Sequence, residues 1–73
     1  MSIEISKEEK TQIINSHKRT LAYNKYNLEI DILRENAKSD PSAVGIANIQ
    51  AQISDINSQI SALDAELTAI EAL

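Results

Sequence analysis

Histidine occurs once in the chain, at His17, spaced as a helix neighbour of Ile13, Ile14 and Leu21, and there is no cysteine. A zinc site needs three or four His, Cys or carboxylate ligands that converge, so no metal is expected, and His17 reads as a core or boundary side chain. No serine sits in a Gly-x-Ser-x-Gly elbow, and the single glycine, Gly45, cannot form a phosphate-cradling loop. Glu8 with Glu9 and Asp64 with Glu66 are close in sequence, but carboxylates that share acid–base work need a concave, partly dry pocket. Solvated helix surface is the expected setting for both pairs. Lys18 and Arg19, followed by Tyr23 and Tyr26, raise the question of nucleic acid. The two bases point about 100° apart on a helix, acids intersperse them, and a pI of 4.8 opposes phosphate contact. The tyrosines are expected to pack beside Ile30 and Leu33. No residue is left with a catalytic or cofactor-binding role, so the chain reads as a non-enzyme that uses no cofactor.

The elements that carry these residues follow from composition. Seventy-three residues with one Gly, one Pro, no Phe and no Trp allow a single small domain (1–73) and disfavour a turn-rich β fold. No run approaches the roughly 18 apolar residues of a membrane span, and the polar N-terminal stretch lacks the apolar centre of a signal peptide. A cytoplasmic protein is expected, with no membrane partner. Charge is split: all seven bases lie before residue 39 with six acids, whereas Asp40, Asp55, Asp64, Glu66 and Glu71 follow with no base among them. Ser39, Asp40, Pro41 and Ser42, the one turn-like cluster, mark a corner at this boundary.

Beyond the corner, Ile46, Ile49, Ile53, Ile56, Ile60, Leu63, Leu67 and Ile70 alternate spacings of three and four. That is a heptad seam, with Ile46, Ile53, Ile60 and Leu67 at a and Ile49, Ile56, Leu63 and Ile70 at d. Isoleucine at both positions favours three- or four-stranded packing in parallel coils. The flanking e and g residues, such as Gln50, Asn57, Asp64, Gln52, Gln59 and Glu66, include no base, so pairing of this helix with itself gains nothing from charge.

Before the corner, Ser6 and Glu9 fit a capping box that starts a helix. Ile14, Leu21, Leu28 and Ile32 gather on one face with Ile13 and His17. Tyr23, Tyr26, Ile30, Leu33 and Ala37 gather on another, and Lys18, Lys25, Glu29 and Asn36 separate the two on one side. A helix with one partner needs one apolar stripe; the second stripe asks for another. Asp40 as N-cap and Pro41 as first helical residue would open the second helix directly. The expected fold is therefore all-α, an antiparallel two-helix hairpin with helices 7–38 and 41–72 and corner 39–40, each helix about 48 Å long at 1.5 Å per residue. In that hairpin Leu28 lies near Ile49 and Ile53, Leu21 near Ile56 and Ile60, and Ile14 near Leu63 and Leu67, while Lys18 and Lys10 approach Asp64 and Glu71. So small a hairpin buries too little surface to stand alone comfortably. It is expected to join copies of itself, and another protein, in a helical bundle.

The run Tyr23-Asn-Lys-Tyr-Asn-Leu-Glu-Ile30 and the repetitive Ile49-Gln-Ala-Gln-Ile-Ser-Asp-Ile-Asn-Ser-Gln-Ile60 resemble small helical-hairpin coiled-coil proteins of tailed phages. The resemblance implies a structural or assembly role, in the virion if the chain is phage-encoded, and brings no catalytic residues with it. The alternative is a small regulatory module, an inhibitor or adaptor, that docks one helix face on a partner protein.

Overall fold

In the computed structural model, which describes residues 3–73, the chain forms two helices and one reversal. Helix α1 spans Lys7–Asn36 and α2 spans Ala43–Glu71. No strand forms among the described residues. The fold is an all-α helical hairpin, a rod with principal extents of 61 × 19 × 15 Å.

Helix α1 starts where a capping box was expected. The Glu9 N–H donates to Ser6 Oγ at 3.1 Å, and the Ser6 N–H reaches back to Glu9 Oε1 at 3.5 Å. Two of the amides that a helix N-terminus leaves unpaired are thereby satisfied, and Glu8 and Glu9 place negative charge at the positive end of the helix dipole.

The corner differs from expectation. Helix α1 ends at Asn36, not at Lys38, and α2 begins at Ala43, not at Pro41. Asp40 is not the N-cap: Ser42 takes that place, its Oγ accepting from the Gly45 N–H at 3.0 Å. The reason is a competing acceptor: the Ser42 N–H, which an Asp40 cap would need, donates to Glu35 Oε1 at 2.9 Å, so the helix starts beyond it. Gly45 leaves room for this cap, since a Cβ there would stand 3.3 Å from Ser42 Oγ. At the other side, Ala37 keeps helical dihedrals and donates to Leu33 O, and the Lys38 N–H donates to Glu35 O. No described residue has positive φ, so α1 closes by a tightening last turn and without the left-handed residue that ends many helices.

The core is thin. Ile14, Ile56 and Ile70 are buried at 8%, 9% and 4% exposure, and the other seam side chains are half-buried. All twelve positions expected in the hairpin seam are buried or half-buried: Ile14, Leu21, Leu28 and Ile32 on α1, and the eight Ile and Leu of the heptad run on α2.

Candidate functional site

Two helices cannot enclose each other's apolar surface, so what this rod presents outward is the candidate site. Four open grooves run along one side between α1 and α2. Nearest the corner, Asp31, Arg34, Glu35, Lys38 and Ile49 line one, and in the next Asn24, Asn27, Gln52, Asp55 and Gln59 surround Leu28 and Ile56. Next come His17, Thr20, Leu21, Ala62 and Leu63. At the open end of the rod Ile5, Ile13, Ile14 and Ile70 line a depression edged by Lys10 and Glu66. The side therefore changes from charged through amide-rich to apolar along its length. His17 is exposed at the rim, which makes it a boundary residue and not a core one.

Along this side Leu28 lines a groove with Ile56, Leu21 with Leu63 and Ile14 with Ile70. Lys18 Nζ does reach Asp64 Oδ1, at 2.5 Å. The second expected ion pair, Lys10 with Glu71, does not form; Lys10 and Glu66 instead line the same depression at the open end of the rod.

Two residues read as polar separators, Lys18 and Lys25, are half-buried, as are Thr11 and Glu35, and together with Ile14, Leu21, Leu28 and Ile32 these four complete a heptad row on α1. The spacing of three and four was present in the sequence, but two lysines and a glutamate obscured it, because a search for apolar periodicity discards them. Long lysine stems cover apolar surface while the ammonium stays wet. Lys18, with 30% of its side chain exposed, fits that pattern.

Glu35 fastens the corner. Its Oε1 accepts from the Ser42 N–H at 2.9 Å and its Oε2 from Lys38 Nζ at 2.7 Å. The hydrogen bond from the Lys38 ammonium, then that from the Ser42 amide, holds its carboxyl below its ordinary value of 4.5. Nothing in the sequence alone singled it out, since the bond depends on where Ser42 is carried by Pro41.

The second stripe lies on the side of α1 turned away from α2. Tyr23 is 71% exposed, Tyr26 and Leu33 are each 63% exposed, and Ile30 is half-buried. Among the described residues no group of three or more His, Cys, Asp or Glu converges on a possible metal position, and no helix is long and apolar enough to cross a membrane. Against protein-family models, curated proteins and solved structures, the chain finds no match.

Proposed function

We propose that this chain is a non-enzymatic assembly protein whose activity is helix packing, and that copies of the hairpin associate into larger helical bundles. The observation that carries the reading is the outward stripe of Tyr23, Tyr26, Ile30 and Leu33 on a rod whose own core buries only three side chains among the described residues. Isolated apolar side chains are ordinary on a surface, but contiguous ones at heptad spacing on a molecule this thin match a helix interface. The resemblance to tailed-phage hairpins would make the assembly part of a virion.

The test is the mass of the purified chain by light scattering across a concentration series. A dimer or higher species at micromolar concentration is expected. A stable, fully helical monomer throughout that range would defeat self-assembly and favour the alternative of a regulatory module that docks on another protein.

A further inference from the structure

The two outer sides of the rod differ in a way that bears on how copies meet. On α1 the outward residues Tyr23, Tyr26, Ile30 and Leu33 are large and follow spacings of three and four. On α2 the outward residues Ala47, Ala51, Ser54 and Ser58 follow the same alternation, are all exposed and are all small. The Ser58 hydroxyl already donates to Ser54 O within its own helix at 3.2 Å, so covering it strands no donor.

We infer that the apolar stripe of α1 on one copy docks against the small-residue side of α2 on a second copy, and not against the matching stripe of that copy's α1. This rests on the proposed self-assembly and specifies its contact. Three observations point the same way. The first is charge: α2 carries Asp55, Asp64, Glu66 and Glu71 without a base, whereas α1 carries six bases and five acids. Pairing α2 with α2, or α1 with α1, joins helices of like net charge, whereas pairing α1 with α2 joins helices of opposite net charge. The second is size. Large side chains on both surfaces would hold the backbones apart, whereas large side chains against small ones let the helices approach and interdigitate, as knobs enter holes.

The third is level along the rod. Asn24 and Asn27 share a groove with Gln52, Asp55 and Gln59, and Asp31 and Arg34 share one with Ile49. A copy displaced sideways without sliding therefore brings Tyr23 and Tyr26 to the level of Ser54 and Ser58. It brings Ile30 and Leu33 to the level of Ala47 and Ala51. The two surfaces face opposite ways from one hairpin, so a copy that uses one still offers the other. Such a head-to-tail contact adds copies in series and closes only if the rotation per step brings the last copy back to the first.

Two double variants test the contact. Tyr26→Ser with Leu33→Ser removes the knobs; Ala51→Gln with Ser58→Gln fills the opposite surface while keeping good helix formers. Each alone is expected to lose the larger species seen with the wild-type chain, with association weakened at least tenfold. An equimolar mixture is expected to give a one-to-one dimer that grows no further, because each partner retains one working surface. If the filled variant assembles as the wild type does, α1 pairs with α1 or another surface serves, and the inference fails while self-assembly stands. A monomeric wild-type chain defeats both.

Should either variant lose its helical dichroism, single cysteines in the otherwise unchanged chain, which has none of its own, give the second measurement. Oxidised mixtures of the Tyr26→Cys and Ser54→Cys proteins should form the mixed disulfide well beyond the statistical share. A share at or below the statistical one overturns the inference.

Discussion

Ser42 and Asp40 are two residues apart and only one of them caps a helix, although both have the side chain for it. The hydroxyl of Ser42 accepts from the Gly45 amide, and losing such a cap costs about 0.5–2 kcal/mol. Ser42→Ala is expected to lower the melting temperature by several degrees, whereas Asp40→Ala, at an exposed corner position, should leave it nearly unchanged. Thermal unfolding followed by dichroism at fixed concentration separates them, and the opposite order would return the cap to Asp40. Glu35 adds a pH dependence whose sign follows from its lowered carboxyl. A group more acidic in the folded chain contributes stability that is complete above its ordinary value of 4.5. That contribution is lost as pH falls through the lower folded value. Glu35→Gln should therefore show a smaller drop in melting temperature than the wild-type chain on going from neutral pH to about pH 3. Equal drops would mean that the corner clasp carries no linkage.

At the scale of the helices, the seam on α2 was legible because eight Ile and Leu stand at unbroken heptad spacing, and its partner on α1 was legible only in part. Apolar pattern found Ile14, Leu21, Leu28 and Ile32 but passed over Lys18 and Lys25, which the geometry of a regular helix carries into the same row. Of these two, Lys18 has Asp64 within ion-pair distance, and Lys25 has no such partner among the described residues. A half-buried lysine covers the seam with its stem alone, where a leucine would add apolar contact. Lys25→Leu is expected to stabilise the hairpin by about 1 kcal/mol, a fraction of the value for burying a full leucine side chain. That raises the melting temperature by roughly 4–8 °C in a domain of this size. Lys18→Leu, which also strands Asp64 without its base, should gain less. A loss of stability in Lys25→Leu would show that its ammonium is satisfied in a way the seam does not reveal.

For the molecule as a whole, the reversal and the all-α class follow from composition and spacing, since nothing between Lys7 and Lys38 breaks a helix and Pro41 falls where charge changes sign. Its exact geometry did not, because Asp40 and Ser42 are both N-cap residue types and it is the tertiary bond from the Ser42 N–H to Glu35 that decides between them. The outer surfaces were half legible: the large stripe of α1 stands out as apolar, while the small side of α2 carries too little hydrophobicity to register as a stripe. The clasp at the corner, described above as a pair of hydrogen bonds on Glu35, also sets how the rod comes apart. It closes its end with a charged group and an amide, whereas the rest of the rod is held by the apolar seam. Apolar burial weakens on cooling and a carboxylate clasp weakens on acidification. Acid thus acts on the turn alone, whereas cold acts on the seam along its whole length.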